Sequence, residues 1–234
     1  MSAMSSVPSV RSGVVARFAQ VAISFLVLGA ILFASAGTFD WPGAWAYLGI
    51  SLIGILVVGA TLLRVEPEMI AERGRPTEVG RDKGVAALWA LCQYVLVPLV
   101  AGLDVRFGWT GGLAVAWQIA GAVAVAVGFA LFGWAMAANA FFSTAVRIQS
   151  DRGQTVCRTG PYRFVRHPGY LGADVMAVGG AFLLGSPWAL VPALAAVLFM
   201  GIRTAREDRM LRAELPGYRE YARDVRYRII PRVW

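Results

Sequence analysis

The sequence predicts an all-α protein with several membrane-spanning helices. Hydrophobic residues make up 58% of the chain and charged residues only 15%, whereas soluble domains average about 25% charged residues. The apolar residues are gathered into runs about as long as a helix needs to cross a hydrocarbon core of ~30 Å. The basic residues lie in alternate segments between those runs, as the positive-inside rule requires. Together these observations predict a polytopic integral membrane protein.

The predicted membrane segments follow five apolar runs, which cover residues 14–36, 44–63, 85–101, 113–138 and 170–202. The last run is too long for one ordinary span. The stretch GSPW at residues 185–188 interrupts it with residues that favour a turn. We therefore expect this run to form a helical hairpin with two short arms. The chain then has about five to six membrane segments, depending on whether each arm crosses completely.

Charge placement predicts the orientation. If the amino terminus is cytoplasmic, 21 of the 22 basic residues lie on the cytoplasmic side and only Arg106 lies on the other. Both termini, and the polar helix that follows the hairpin, are then cytoplasmic. The formal net charge of +8 fits a multi-pass protein of a cell membrane or endomembrane that faces anionic lipid. It gives no reason to expect a nucleic-acid partner.

The chain reads as a single membrane domain with two parts. Residues 1–138 are mainly scaffold spans, in which Gly121 and Gly128 share roughly one helix face and permit close helix packing. The polar stretch after the second run, RVEPEMIAERGRPTEVGRDK, is expected to hold a short interfacial helix and a loop. Residues 139–234 are expected to carry the cofactor-binding and catalytic part, because their polar stretches flank the two arms of one hairpin and can meet.

Polar residues at the start of the hairpin are the first candidates for a site. Pro168 suits the first turn of a helix, on which His167, Tyr170 and Asp174 follow the spacing i, i+3, i+7 and share a face. Asp174 lies about two turns inside the apolar run, where an ionisable residue commonly marks a functional cavity. An ion pair with a nearby arginine is the alternative.

The helix that leaves the hairpin offers a second set of candidates. Arg203 and Glu207 are four residues apart and therefore share one helix face. A plain i,i+4 salt bridge is the alternative explanation of this pair.

These residues belong to an ordered set of motifs that spans about ninety residues. GPY at residues 160–162 is followed by RHPGY at 166–170, an acidic pair at 207–208, GYREY at 217–221 and IIP at 229–231. The set resembles the isoprenylcysteine carboxyl methyltransferase family, within a wider group that includes phospholipid N-methyltransferases. The resemblance implies an enzyme that transfers a methyl group from S-adenosylmethionine to a lipophilic acceptor, such as an isoprenylcysteine carboxylate, without a metal.

The resemblance also implies which residues contact the cofactor. They are Arg147, Gln149, Gln154, Thr155, Val156, Cys157, Tyr162, His167, Pro168, Gly169, Tyr170 and Glu207. The basic residue that the family assigns to the substrate corresponds to Arg203, so Arg203 and Glu207 are the predicted catalytic pair. We add Asp174 as a substrate-binding candidate from its position in the membrane. Gln154 departs from the family, which often has histidine there.

The nature of the acceptor decides which chemistry the site must supply. A carboxylate is already ionised at neutral pH, so it needs a cation such as Arg203 for positioning and no general base. An amine or thiol acceptor needs a deprotonating group, for which Asp174, Glu207 and His167 are the candidates.

Two other functions stay open. NADPH-dependent membrane reductases of sterols or enones share a similar RHP-x-Y-x-G turn with an aspartate nearby, although asparagine is usual where Gly169 stands. A non-enzymatic membrane scaffold is the other. One histidine and no cysteine pair offer no zinc site, and Cys92 and Cys157 are too far apart in this topology for a disulfide. The absence of a G-x-G-x-x-G motif after a strand argues against a soluble Rossmann-type methyltransferase.

Overall fold

The computed structural model describes residues 10–65, 67–74, 82–143 and 145–234, in which no strand is present. The described part is all-α, as the sequence predicts. The helices are α1 (Val10–Ala36), α2 (Pro42–Val65), α3 (Pro67–Gly74), α4 (Lys83–Leu91), α5 (Val97–Phe107), α6 (Val115–Ala138), α7 (Pro168–Leu183), α8 (Leu190–Glu214) and α9 (Tyr218–Asp224). One π turn, Cys92–Leu96, joins α4 to α5.

Four stretches of the described chain are long and apolar enough to cross a membrane. They are Arg11–Ala36, Pro42–Val65, Lys83–Phe107 and Val115–Ala138. These spans match the first four predicted runs. The fifth run forms the expected hairpin of α7 and α8, but α7 has only 16 residues and the second half of α8 is charged. The described residues therefore contain four candidate spans by length and composition, and a total of five or six stays a prediction.

The π turn in the third span has a physical cause in Pro98. Proline has no backbone N–H, and its ring clashes with the carbonyl group four residues earlier in a regular helix. The backbone widens just before it, so that the N–H of Val97 bonds to the carbonyl oxygen of Cys92, five residues back. The sequence analysis did not anticipate this turn.

Close packing of α6 against α7 depends on glycine. A Cβ atom at Gly121 would lie 2.3 Å from the backbone nitrogen of Leu183, and one at Gly128 would lie 2.8 Å from the carbonyl oxygen of Gly172. Both glycines thus face the same partner helix, which confirms the expectation from their seven-residue spacing. The hairpin is seated on the scaffold through this interface.

The hairpin turn closes the end of the bundle that lies opposite the polar flanks. Gly185 takes up a left-handed conformation with φ +78°, which glycine adopts without strain. The hydroxyl of Ser186 donates a 2.6 Å hydrogen bond to Oδ2 of the buried Asp104. The backbone N–H of Leu113 donates to the carbonyl oxygen of Gly185 at 3.0 Å. These bonds fix the turn, so the polar flanks are held at the other end.

Helix α3 is the short helix that the sequence predicts here, its interfacial position stays a prediction, and the stretch that follows it at residues 75–81 lies outside the described residues. Its Met69, Ile70 and Ala71 are buried. A Cβ at Gly13 would lie 2.7 Å from the carbonyl oxygen of Ala71, so α3 packs directly on α1. This contact brings α3 against the same end of the bundle as the flanks of the hairpin.

Candidate active site

A polar cavity opens where the two flanks of the hairpin meet. Its walls come from residues 139–143, 145–149 and 154–157, the beginning of α7 with the residues just before it, the charged half of α8, and α9. The empty volume is about 730 Å³, part of which is open to solvent. Residues from both flanks of the hairpin line this one cavity, so the predicted meeting of the flanks is confirmed.

Most of the predicted site residues line this cavity. The eleven that do so are Arg147, Gln149, Gln154, Thr155, Val156, Cys157, Tyr162, His167, Gly169, Tyr170 and Glu207. Pro168, Asp174 and Arg203 are not part of the lining. Pro168 is the first residue of α7, as expected. The roles of all fourteen residues stay predictions, although the fold brings most of them together.

Tyr170 connects the two predicted catalytic residues. Its hydroxyl donates a short hydrogen bond to Oε2 of Glu207 and accepts one from Nε of Arg203 at 3.0 Å. Both partners are on α8, so the prediction that they share a helix face is confirmed. Arg203 is buried and also forms an ion pair with Asp82, with 3.2 Å between Nε and Oδ2. Arg203 therefore stands behind Tyr170 rather than in the cavity wall.

His167 immediately precedes helix α7 instead of belonging to its first turn. It is the N-cap residue, with φ −129° and ψ 61°. Its imidazole nevertheless stacks on the ring of Tyr170, with centroids 5.6 Å apart and planes 3° from parallel. Its backbone N–H donates to the carbonyl oxygen of Arg228 at 2.8 Å. The tail after α9 thus holds the histidine in place.

The loop wall is shaped by two glutamines. Gln149 is 1% exposed, and its Nε2 donates to the carbonyl oxygen of Phe141 at 2.7 Å. Oε1 of Gln154 accepts a 2.7 Å bond from the backbone N–H of Gln149. Glutamine therefore has a local structural role at the position where the family often has histidine. Arg147, which also lines the cavity, bonds to Asp151 at 2.8 Å.

Aromatic rings form another wall. A Cβ at Gly169 would lie 2.5 Å from the ring of Phe142, so only glycine allows this ring to lie so close to the start of α7. The hydroxyl of Tyr162 accepts a 3.3 Å bond from Nδ2 of Asn139. Burial raises the pKa of Tyr162 well above its ordinary value. Its hydroxyl therefore stays protonated near neutral pH.

Asp208 organises the floor beneath the cavity, and the sequence analysis named it only as part of an acidic pair. It is completely buried. Oδ1 accepts bonds from Nε of Arg166 at 2.7 Å and from the hydroxyl of Tyr218 at 3.0 Å. Oδ2 accepts bonds from Nε of Arg212 at 3.0 Å and of Arg228 at 3.1 Å. One carboxylate thus joins both flanks of the hairpin to the tail.

The donors and cations around Asp208 favour its ionised form. Burial alone raises its pKa, but hydrogen bonds and positive charge from His167 and Arg166 outweigh burial and hold the pKa well below its usual range. Nε2 of His167 lies 3.7 Å from Oδ1. Only the i,i+4 spacing to Arg212 was visible in the sequence, because the other partners come from distant parts of the chain.

Asp174 lies on α7 beyond the cavity. Its Oδ1 is buried and has no hydrogen-bond partner. No arginine among the described residues forms an ion pair with it, so the structure does not support that alternative. Its predicted part in substrate binding stays a prediction.

The fold and this cavity define a multi-pass helical membrane protein with a polar cavity at one end of the bundle. Residues 119–213 match the model of the isoprenylcysteine carboxyl methyltransferase (ICMT) family. The matched segment covers most of α6, the hairpin and most of the cavity, and it confirms the resemblance that the motifs indicate. The match supports a membrane methyltransferase and neither the reductase nor the scaffold. No curated protein matches the chain.

Proposed function

We propose that this protein uses S-adenosylmethionine to methylate the carboxylate of a lipophilic acceptor of the isoprenylcysteine type at the membrane boundary. The observation that carries the proposal is the bond from Tyr170 to Glu207, with Arg203 on the same hydroxyl. It places a carboxylate in the cavity and a cation directly behind its wall. Arg203 and Glu207 lie at the point in α8 where the apolar half of the helix ends and its charged half begins.

The residues of the cavity fit the proposed methyl donor. Its amino-acid end carries an ammonium and a carboxylate, which pair with groups of opposite charge. Glu207 is suited to the ammonium, and Arg147 to the carboxylate. The rings of Phe142 and Tyr162 suit an adenine ring or a sulfonium cation. When bound, S-adenosylmethionine supplies the methyl group: its S–CH3 bond breaks as an O–CH3 bond forms on the acceptor, the electron pair stays on sulfur and no proton is transferred.

The work left to the protein is positioning. An acceptor carboxylate is already ionised at neutral pH, so the site has to orient it and exclude water. Arg203 is held by Tyr170 and Asp82, so its charge is fixed before an acceptor arrives. The exposed apolar residues along α8, such as Leu194 and Leu198, are compatible with a lipid chain that reaches the site sideways from the bilayer. The methyl donor is soluble in water and reaches the cavity from its open side.

The proposal can be tested with purified protein in detergent and a methyl-labelled donor. The acceptors are N-acetyl-S-farnesylcysteine, its carboxamide, farnesylthiol and extracted phospholipids, with products analysed by mass spectrometry. We expect the label only on the carboxylate acceptor, as a methyl ester that mild base releases as methanol. Label that resists base, on an amine or a thiol, would contradict the proposal. So would binding of NADPH without any methyl transfer.

A further inference from the structure

Arg73, near the end of α3, is a cation without an anionic partner among the residues that the structure describes. Its guanidinium lies 5.2 Å from the ring centroid of Phe142 and 6.0 Å from that of Phe132. Nη1 donates to the sulfur of Met136 at 3.2 Å, and the buried Nε has no hydrogen-bond partner. No carboxylate in the described part of the chain forms an ion pair with it. A guanidinium has five N–H donors, and its burial is costly unless an anion completes the site.

The position of Arg73 relates it to the cavity. Phe142, on which it stacks, lines the cavity and packs against Gly169. The next residue, Tyr170, has the guanidinium of Arg203 at 5.6 Å from its ring centroid. Arg73 and Arg203 therefore stand behind two neighbouring aromatic residues of one wall. The charge of Arg203 acts on Arg73, so the two cations lie near each other behind this wall.

The local charge is unbalanced. The pKa of Arg73 is lowered to about 10, first by burial and then by the positive charges of Arg17 and Arg203. Arg73 is still charged at neutral pH, so these guanidinium groups repel one another. Asp82 forms an ion pair with Arg203, but its Oδ2 has no aligned hydrogen bond. An anion that enters this region would relieve the repulsion.

We propose that Arg73 binds the carboxylate of the methyl acceptor together with Arg203 and makes the protein selective for anionic acceptors. This inference rests on the proposed function and deepens it. Arg73 lies outside residues 119–213, so the family match does not assign it. Two guanidinium groups favour a carboxylate through charge-assisted hydrogen bonds. They disfavour an amine by like-charge repulsion, which is how many sites gain specificity.

The test compares Arg73→Gln and Arg73→Lys with the control Arg64→Gln, whose arginine is exposed at the end of α2. Binding of N-acetyl-S-farnesylcysteine and of its carboxamide is measured by competition, and KM by methyl transfer. We expect Arg73→Gln to raise KM for the carboxylate by about tenfold or more, as loss of a charge-assisted pair implies. The preference for carboxylate over carboxamide should fall towards one, and Arg73→Lys should retain part of it. Donor affinity and the Arg64→Gln variant should be unchanged.

Three results would overturn the inference. The first is an unchanged carboxylate preference in Arg73→Gln. The second is an equal loss of affinity for carboxylate and carboxamide, which indicates a structural role. The third is that Arg73→Gln keeps the preference for carboxylate and loses stability only in vesicles that contain anionic phospholipid. This result would identify a lipid phosphate as the anion that Arg73 binds. Failure of the proposed function is distinguishable, because the wild-type protein itself would then transfer no methyl group to the carboxylate.

Discussion

The hydroxyl group of Tyr170 donates a hydrogen bond to Oε2 of Glu207 and thereby ties helix α7 to helix α8 at the cavity wall. The same hydroxyl accepts a bond from Arg203. One side chain thus sets the positions of the carboxylate proposed to bind the donor and of the cation proposed to bind the acceptor. Disturbing it should affect both sites together.

Tyr170→Phe removes this shared hydroxyl and keeps the ring that stacks on His167. We expect kcat/KM for methyl transfer to fall by about tenfold or more, because positioning of donor and acceptor is the main work of the site. The free energy of unfolding should fall by about 1–3 kcal/mol, because two hydrogen bonds that usually contribute about 0.5–1.5 kcal/mol each are lost. Tyr227→Phe, at a half-buried tyrosine outside the cavity lining, is the control. Full catalytic efficiency in Tyr170→Phe would contradict the role of the bridge.

Gly121→Ala tests how the hairpin is seated. Its Cβ would meet the backbone of Leu183 at 2.3 Å, so α6 and α7 would have to move apart. We expect the free energy of unfolding, measured by thermal unfolding, to fall by about 1–3 kcal/mol, which is the usual cost of overpacking. Gly49→Ala is the matched control, because nothing lies within 4 Å of a Cβ there. Equal stability of the two variants would contradict the close packing.

The charge cluster around Asp208 predicts a pH dependence. The pKa of Asp208 in the folded protein is lowered from its ordinary value of 3.8, so its contribution to stability is complete above that pH. It is lost as the pH falls from there towards the lowered pKa of the folded state. Asp208→Asn removes the charge and nearly keeps the shape of the side chain. We therefore expect the stability difference between wild type and this variant to be constant from pH 5 to 7, and to shrink in acid.

The measurement is denaturant unfolding of both proteins from pH 7 to pH 3. The comparison removes the effects of other carboxyl groups, because they are common to both proteins. Asp224→Asn is the control, since Asp224 pairs with Arg158 on the exposed surface and such pairs contribute little. A difference between wild type and Asp208→Asn that persists unchanged to pH 3 would show that the pKa of Asp208 is not lowered in the folded protein.

The sequence predicted the elements whose signals are local. The apolar runs indicated the first four spans, the GSPW stretch indicated the hairpin turn, and the spacing of Gly121 and Gly128 indicated the packed face of α6. The meeting of the flanks followed from connectivity, since two arms of one hairpin return to the same end. These features depend on residues close together in the chain.

The features that escaped prediction depend on distant residues. Asp208 receives bonds from Arg166, Tyr218 and Arg228, and no local pattern connects these positions. Arg73 lies near the cavity because the packing of α3 brings it against Phe142, and this packing leaves no signal in the sequence. The π turn depends on how the backbone adapts to Pro98, which could equally have ended the helix. Tertiary packing decides each of these features. Contacts between residues far apart in the chain leave no periodic pattern in a single sequence.

The central claim is that the cavity binds S-adenosylmethionine, and direct binding to the purified protein tests it. Calorimetry should show binding of S-adenosylmethionine and none of NADPH. His167→Ala and Glu207→Ala should abolish donor binding, whereas Arg203→Ala should preserve it and lose turnover. The exposed Arg209→Ala is the control. Full donor affinity in both His167→Ala and Glu207→Ala would contradict the assignment of this cavity.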